Sequence, residues 1–534
     1  MPAGSTPTRV VKNTAFLYAK MIITMVISLY TTRLILASLG ASDFGIFNVV
    51  GGAIAMLGFL NSTMANATQR FMSYAEGEGG EVNKRTVFNA SLVLHVVVAA
   101  LTVLLLLAAM WPLFDGVFVI HPDRLHAARV VYYSLIFSTV IGIISAPYDA
   151  VMNAHENMLY YSVIGIVEAL LKLAIAVACV YANSDKLIVY GLLMASVPLI
   201  SFAVITTYCH RHYSECVIAP RRYWNRGQMR RMTGFFGWNF LTAVSSLLSA
   251  QGIGVVLNHF FGAVLNAAQG VANQVNGTLA NFSVNMMKAL NPVITKSAGA
   301  RNQSAMNKAT LAGCKFSTLL LMFFGIPLSL EVHYILSIWL KEVPAWTSVF
   351  VVMQMTQFVI VQMAASASTA VYASGDIKHY AIWKSIMNAS PLLLVWLAFS
   401  WGGSPAWLYV PMIVVWAICG DVVIVYYAHK KCGLPLGAYL RSVLLPLICA
   451  AAVCLIVGLL PVLLLPPSLL RLALTCLATT AGMLLSARLF LLSTEEKTIL
   501  RSIAHRLISR KRKWLAYIMP FRVIICVFDL TAFA

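Results

Sequence analysis

The chain has 534 residues, of which 60% are hydrophobic and 10% are charged, and its formal net charge is +20. Soluble domains carry about 25% charged residues, so this composition excludes a soluble globular protein and indicates an integral membrane protein. The apolar stretches are about 20 residues or longer, which is typical of membrane-spanning helices and not of the short alternating strands of an outer-membrane barrel.

The sequence lacks the common signatures of enzymes and metal proteins. It contains no G-x-x-x-x-G-K-[ST] motif, no H-E-x-x-H motif and no C-x-x-C pair. The ten cysteines lie mostly in apolar segments, where they are expected to act as small hydrophobic residues. We therefore expect no cofactor, no metal and no enzymatic activity. The positive charge is explained by the rule that basic residues stay on the inner side of a membrane, so nucleic-acid binding is not expected.

Fourteen membrane spans are predicted, and the first is expected to remain as an anchor because no small-residue cleavage site follows it. The spans lie near residues 13–38, 45–72, 88–111, 127–147, 158–182, 187–209, 233–257, 264–291, 309–330, 347–372, 380–400, 406–428, 443–465 and 470–492. With the N-terminus inside, most Lys and Arg residues outside the spans fall on the inner side. Both termini are therefore predicted to be cytoplasmic.

An internal repeat lays the first span on the seventh and the second on the eighth at a shift of 222 residues. Gly40 then falls on Gly262, Lys20 on Thr242 and Asn66 on Lys288. Both units begin on the same side of the membrane, so the sequence predicts two parallel six-helix bundles. Two such bundles around a polar cleft would form an alternating-access transporter.

The repeat divides the chain into five regions. They are an N-terminal six-helix lobe (1–210), a basic linker (211–232), a C-terminal six-helix lobe (233–429), two additional helices (430–492) and a basic tail with an apolar end (493–534). Residues 493–514 form a roughly amphipathic basic stretch, which is expected to lie on the inner membrane surface.

Polar faces on four spans mark a candidate cleft. Lys20 and Thr24 share one face of the first span, Asn66 and Arg70 lie one turn apart on the second, and Asn239 belongs to the polar face of the seventh. The strongest polar stripe lies on the eighth span within roughly 80° of the helix surface, and it consists of Gln274, Thr278, Asn281, Asn285 and Lys288. A charged side chain at the bilayer centre costs about 2.5–3.5 kcal/mol on insertion scales, so we expect these residues to line a cavity.

Other ionisable residues within the spans are secondary candidates. The additional cations are Arg33, Lys172, Lys315 and Lys384. Three acidic residues, Asp149, Glu168 and Asp421, are candidates for ion coupling. Lys172 follows Glu168 by four residues, which is the favourable order for an ion pair on one helix. Cations outnumber carboxylates within the spans, so the sequence predicts an anionic ligand.

Several short motifs carry a family resemblance. They are Arg33-Leu34, Leu39-Gly40, Phe44-Gly45 and Arg70-Phe71, with Pro147, Ala154, Tyr161 and Leu171-Lys172-Leu173 further along. In these motifs and in the layout of its first twelve spans, the chain resembles the bacterial O-antigen and lipid-linked oligosaccharide flippases. These belong to the multidrug/oligosaccharidyl-lipid/polysaccharide exporter superfamily.

The resemblance implies a V-shaped, two-lobed membrane protein with a cationic cavity. The implied substrate is an undecaprenyl-diphosphate-linked oligosaccharide for O-antigen, capsule or exopolysaccharide, flipped from the inner to the outer leaflet of the bacterial cytoplasmic membrane. Membrane lipids, a polysaccharide polymerase and chain-length machinery are the implied partners. We expect the protein to act as a monomer.

Three alternatives remain open at this point. Related drug antiporters typically place carboxylates in their cavities, whereas spans one, two, seven, eight and ten contain no Asp or Glu. A lipid II flippase of peptidoglycan synthesis is a relative with the same number of spans. A membrane-embedded polysaccharide polymerase or glycosyltransferase would need a sizeable outer loop or an acidic pair, and the predicted outer loops are short.

Overall fold

The computed structural model describes residues 6–498 except 56, 119, 341, 494 and 495, and these residues contain helices but no strands. The first seven long helices are α1 (Arg9–Gly40), α2 (Ser42–Ala55 and Gly58–Glu78), α3 (Glu81–Pro112), α4 (Leu125–Ala154), α5 (Met158–Val180), α6 (Lys186–His212) and α7 (Arg226–Gly262). The next seven are α8 (263–299), α9 (Gln303–Leu330), α10 (Thr347–Met363 and Ala365–Ser374), α11 (Lys378–Ser400), α12 (Pro405–Cys432), α13 (Leu436–Leu464) and α14 (Leu469–Leu491).

Thirteen of the predicted spans coincide with helices that are long and apolar enough to cross a membrane. Eleven are single helices, and two more are the bent pairs that form α2 and α10, with bends of 48° and 42°. The remaining predicted span, 264–291, lies within α8. This helix is less apolar than the others because it carries the polar stripe. The predicted all-helical architecture is therefore confirmed.

The backbone supports the internal repeat at its most distinctive position. Gly40, between α1 and α2, has φ 78° and ψ 167°, and Gly262, between α7 and α8, has φ 78° and ψ −173°. A positive φ is readily adopted only by glycine, which has no Cβ. Two residues 222 positions apart thus make the same sharp reversal in each half of the chain. The chain between the first two predicted spans is helical except for the break at Gly40.

The helices form two lobes, and two additional helices pack on the second lobe. Helices α1 to α6 pack together as the N-lobe, α7 to α12 as the C-lobe, and α13 and α14 pack on α9 of the C-lobe. The segment between the lobes is residues 213–225, shorter than the predicted 211–232. Helix α6 continues to His212, and α7 begins at Arg226 with the Asn225 side chain as its N-cap. We call the end of the molecule that carries residues 213–225 the linker side, and the opposite end the far side. Residues 499–534, which include most of the predicted basic tail, lie outside the described residues.

The two lobes share a hydrophobic core only toward the linker side. There Phe71 of the N-lobe and Phe235 of the C-lobe belong to one cluster, with ring centroids 5.5 Å apart. Toward the far side, the described residues form separate clusters for each lobe. One cluster surrounds Val50 and Tyr132 of the N-lobe, and another surrounds Phe350 and Tyr409 of the C-lobe. This arrangement holds the lobes together at one end and leaves them free to separate at the other.

A buried ion pair attaches the additional helices to the C-lobe on the far side. Arg471 of α14 donates to Glu331, which follows α9, at 2.7 and 3.2 Å, and the Thr475 hydroxyl donates to the same carboxylate at 3.0 Å. The Glu331 side chain is fully buried. Removing one partner of such a pair leaves an uncompensated charge.

We therefore expect Glu331→Gln to destabilise the docking of α14 by about 3 kcal/mol. The measurement is the midpoint of thermal unfolding of the purified protein in detergent. Glu342→Gln, at an exposed position on the same side, is the control and should leave the midpoint unchanged. Equal midpoints for the two variants would show that the ion pair does not secure α14.

A second polar network joins the linker to the N-lobe on the linker side. Glu215 in the linker accepts a hydrogen bond from His155, whose ring stacks on Tyr213 with centroids 4.2 Å apart. Glu76 at the end of α2 pairs with Lys84 of α3 at 2.9 Å and lies 3.6 Å from His155. Burial alone would raise the pKa of Glu215, but the hydrogen bond from His155 and its charge hold that pKa below the ordinary value.

This depressed pKa predicts a specific acid sensitivity. A carboxylate whose folded-state pKa is lowered contributes stability above its unfolded pKa, and the contribution is lost as the pH falls through the folded pKa. We expect the thermal midpoint of the native protein to fall between pH 5 and pH 3 by more than that of Glu215→Gln. Glu342→Gln should follow the native protein over the same range. A parallel decline in all three would contradict the role of Glu215.

Candidate substrate cleft

The cleft lies between α1 and α2 of the N-lobe and α7 and α8 of the C-lobe. The Tyr18 hydroxyl donates to the Phe282 carbonyl at 2.8 Å, and the rings of Phe59 and Phe240 are 5.7 Å apart. Met21 in α1, Phe59 in α2 and Phe240 in α7 mark the limit of such contacts. Closer to the far side, no hydrogen bond, ion pair or ring contact joins the two lobes among the described residues. The bonds and ring contacts between the lobes thus end at these residues, and we infer that the cleft opens to the far side.

Two glycines close the cleft at the linker side. A Cβ placed on Gly77 of α2 would overlap the backbone carbonyl of Lys296 in α8. A Cβ placed on Gly299 would overlap the backbone carbonyl of Tyr74 in α2. The ends of α2 and α8 thus pack backbone against backbone, an approach that requires a small residue on both helices.

Arg70 also joins the two lobes on the linker side. Its Nε donates to the Tyr372 carbonyl at 3.0 Å and its Nη2 to the Ala373 carbonyl at 2.7 Å, which joins α2 to the last turn of α10. Its guanidinium also lies over the rings of Phe71 and Phe235, 4.4 and 5.3 Å from their centroids. Arg70 is therefore part of the contact between lobes and not a free cavity cation.

A small polar cavity of about 270 Å³ lies next to Arg70 within the interface. It is lined by side chains that donate and accept hydrogen bonds, namely Asn66, Gln69, Ser73, Asn239, Asn291, Thr295, Ser368, Thr369 and Tyr372. The predicted residues Asn66, Arg70 and Asn239 meet here, and the Asn239 side chain donates to the Thr63 carbonyl across the interface at 3.3 Å. Amide and hydroxyl groups in this pattern suit sugar hydroxyls.

Two lysines from opposite lobes converge on one aromatic ring. The Lys20 ammonium lies 4.2 Å from the centroid of Tyr161 in α5, and the Lys288 ammonium lies 3.6 Å from it. The chain of Lys20 runs against Gly165, one turn after Tyr161, where a Cβ would be 2.5 Å from its nitrogen. Cation–π contacts hold both ammonium groups in position. Lys20 of the N-lobe and Lys288 of the C-lobe thus meet at the Tyr161 ring.

Two carboxylates lie near the Tyr161 ring and its two lysines. Asp149 of α4 interacts electrostatically with Lys288 and Lys20, and Glu168 of α5 interacts with Asp149. No salt bridge within 4 Å joins Asp149 or Glu168 to a lysine in the described part of the chain, so Asp149 acts on the lysines at longer range, and Glu168 acts on Asp149 and Tyr161. Two cations and two carboxylates therefore surround Tyr161.

The polar stripe of α8 extends from this cluster toward the open far side. Gln274 and Asn281 are exposed, and Asn285 is half-buried with its amide 3.2 Å from the Met21 sulfur of α1. Thr24 of α1 is half-buried and donates to the carbonyl of Lys20 in its own helix. We assign these residues to the cleft walls on the far side.

The remaining candidates lie elsewhere. Arg33 and Lys172 are exposed, and no ion pair joins Lys172 to Glu168 among the described residues. Lys315 is buried and pairs with Glu496 at 2.6 Å, because the end of α14 packs against α9.

Lys384 and Asp421 are neighbours within the C-lobe. Lys384 of α11 lies beside Gly420 and interacts electrostatically with Asp421 of α12. Asp421 is buried and Lys384 is half-buried, and no ion pair within 4 Å joins them in the described part of the chain.

Several cavity residues were not singled out from the sequence. Asn291 and Thr295 continue the stripe of α8 at helical spacing, and Gln69 and Ser73 share the face of Asn66 and Arg70. These residues lie near the ends of the predicted spans, where polar side chains are common. Ser368, Thr369 and Tyr372 in α10 gave no periodic signal, and only the packing brings them to the site.

Solved structures of similar architecture are transporters. The chain aligns with the structure "MATE in the bent conformation" at TM-score 0.69 and 12% identity, covering 81% of this chain and 96% of the other. An outward-facing multidrug resistance MATE family transporter of the MOP superfamily aligns at TM-score 0.66 and 11% identity, covering 81% and 97%. The fold is that of the MATE transporters.

A third similar structure is described by the polarity of its binding pocket. A MOP superfamily transporter from Pyrococcus furiosus aligns at TM-score 0.63 and 12% identity, covering 80% of this chain and 96% of the other. It is described as having a binding pocket of reverse polarity that suggests a different function. No protein-family model and no curated protein sequence matches this chain.

Proposed function

We propose that the protein is a flippase for an anionic, lipid-linked oligosaccharide, with an undecaprenyl-diphosphate-linked repeat unit as the substrate class. The observation that carries the proposal is the convergence of Lys20 and Lys288, from opposite lobes, in a cleft whose other walls are rich in amides and hydroxyls. Ammonium groups bind phosphate oxygens strongly, and amides bind sugar hydroxyls. A transporter of this fold is known in an outward-facing conformation, which fits the alternating access that we propose for the two lobes.

Orientation follows from charge. The basic linker side is assigned to the cytoplasm by the positive-inside rule, so the present arrangement is open to the outside. In the opposite arrangement, the glycine seam at Gly77 and Gly299 would separate and admit the diphosphate from the inner leaflet. The lipid chain would remain in the bilayer between the lobes.

The membrane potential supplies the driving force in this proposal. Moving about two negative charges to the positive outer side is favoured by about 4–5 kcal/mol per 100 mV. The empty cleft must then return. Asp149 interacts electrostatically with Lys288 and Lys20, so in this proposal it offsets part of their charge in the empty site. The potential then opposes the return step less than it would for two unbalanced lysines.

One observation favours a second candidate, a cation-coupled multidrug antiporter. Asp149 and Glu168 bring carboxylates to the site from α4 and α5, although the predicted spans one, two, seven and eight contain none. Carboxylates of this kind would bind cationic drugs, H⁺ or Na⁺. A multidrug transporter is also among the structures with this fold.

Reconstitution separates the two functions. The purified protein is placed in liposomes that contain a fluorescent undecaprenyl-diphosphate sugar, and loss of label from the accessible leaflet is followed with and without a potassium diffusion potential. We expect protein-dependent, potential-sensitive movement of the label. Ethidium movement driven by a proton or sodium gradient, without movement of the labelled lipid, would instead establish the antiporter.

A further inference from the structure

A second cavity lies outside the cleft and is lined by basic residues. It has a volume of about 790 Å³, opens on the linker side, and meets the inner polar cavity at Arg70, which lines both. Arg230 and Arg231 of α7 and Lys378 of α11 contribute to its walls. We call this cavity the vestibule.

The cations of the vestibule are not neutralised by its carboxylates. Two carboxylates line the cavity, Glu78 and Asp376. Glu78 accepts a hydrogen bond from Asn83 at 2.7 Å, and Asp376 is paired with Lys431, which is not a lining residue. Within the described part of the chain, Arg230, Arg231 and Lys378 form no ion pair and are exposed.

Two helix N-termini add to this positive field. Helix α7 begins at Arg226, and its residues Gly227 and Gln228 line the vestibule. Helix α11 begins at Lys378, and Ile377 and Lys378 line it from the other wall. The helix dipole at such termini favours anions. The Gln228 N–H already donates to Asn225, and the Lys378 N–H donates to Asp376. The three side-chain cations therefore contribute most of the positive charge of the site.

Arg70 connects the vestibule to the closure of the lobes. Its Nε and Nη2 donate to carbonyls of α10, while Nη1 has no hydrogen-bond partner among the described residues. Arg231 is near enough to Arg70 for their like charges to repel. An anion between them would relieve this repulsion. It would also compete with the carbonyls of Tyr372 and Ala373 for the guanidinium of Arg70.

We propose that the vestibule binds a phosphate-bearing anion and that its binding loosens the contact of Arg70 with α10. The proposal does not depend on which molecule the cleft transports. A phospholipid headgroup and a free polyphosphate both carry the required chemistry, and they are separated by experiment. Binding at this position would act on the linker-side closure before any substrate enters the cleft.

Binding is tested with inorganic pyrophosphate by isothermal titration of the full-length protein in detergent at low salt. We expect Arg230→Gln with Arg231→Gln to weaken binding at least about tenfold, since two charge-assisted contacts are lost. Arg221→Gln with Arg222→Gln removes the same charge from the linker but not from the vestibule, so it should change the affinity less than twofold. No pyrophosphate binding, or equal losses in both double variants, would overturn the proposal. Arg230→Lys with Arg231→Lys should recover part of the affinity, because it restores the charge that Arg230→Gln with Arg231→Gln removes.

The source of the anion is tested by repeating the titration in nanodiscs. A lipid headgroup is supported if pyrophosphate binds more weakly in phosphatidylglycerol discs than in phosphatidylcholine discs. This difference should occur only in the protein with Arg230 and Arg231 intact. Unchanged affinity supports a free anion.

The coupling to Arg70 is tested by hydrogen–deuterium exchange of residues 70–78 and 370–378. Exchange in these segments should become faster when pyrophosphate is added. Slower or unchanged exchange would rule out release of the Arg70 contact.

Discussion

Replacing both Lys20 and Lys288 with glutamine is expected to reduce potential-driven movement of the labelled diphosphate lipid by about a hundredfold or more. Each charge-assisted contact to a phosphate contributes about 1.5–3 kcal/mol, and each 1.4 kcal/mol corresponds to a factor of ten. Either single variant should lose less, because the remaining lysine still lies at the Tyr161 ring. The measurement is the initial flipping rate in liposomes at a fixed potential.

Lys172→Gln is the matched control for this experiment. Lys172 is an intramembrane cation on α5, the helix that carries Tyr161, but it is exposed and lies about three turns away from that ring. The same loss of charge there should leave the rate near that of the native protein. A native rate in the Lys20 and Lys288 double variant would contradict a cationic substrate site, and an equal loss in Lys172→Gln would indicate a general charge effect.

The second large effect is expected at the glycine seam. In Gly77→Ala with Gly299→Ala, each new methyl group overlaps the backbone of the opposite helix, so α2 and α8 are forced apart on the linker side. The arrangement that is closed on this side should lose population, and transport should fall at least about tenfold because the cycle needs both states. The overlap is with backbone atoms and not with flexible side chains, so local adjustment cannot remove it.

The conformational part of this prediction has its own measurement. Ser73 is buried in the closed seam, so a Ser73→Cys reporter should react with a membrane-impermeant maleimide only when the linker side opens. Labelling above the background of the parent chain is expected to rise in the Gly77 and Gly299 double variant. Gly277→Ala, on α8 where a Cβ meets no neighbouring atom, should leave labelling and transport unchanged. Protection of Ser73→Cys in the double variant would show that the seam does not hold the lobes together.

The residues of the site were predicted unevenly from the sequence. Lys20, Lys288, Asn66 and Asn239 were predicted because an intramembrane polar residue at helical spacing has a strong energetic reason to avoid lipid. Lys315 has the same signal in the sequence, yet the structure places it against Glu496. The position of a residue on a polar helix face predicts that its side chain avoids lipid. It does not predict whether that side chain faces a cavity or packs against another helix.

Local patterns alone determined the helices, the repeat and the polar faces of this protein. Hydrophobic length sets the spans, and Gly40 and Gly262 mark equivalent reversals because only glycine tolerates their backbone angles. Only the tertiary structure decided the rest: the approach of Asp149 to the lysines, the Arg70 contact with α10, and the vestibule between α7 and α11. These features join residues that are far apart in the chain, and their positions depend on how whole helices pack.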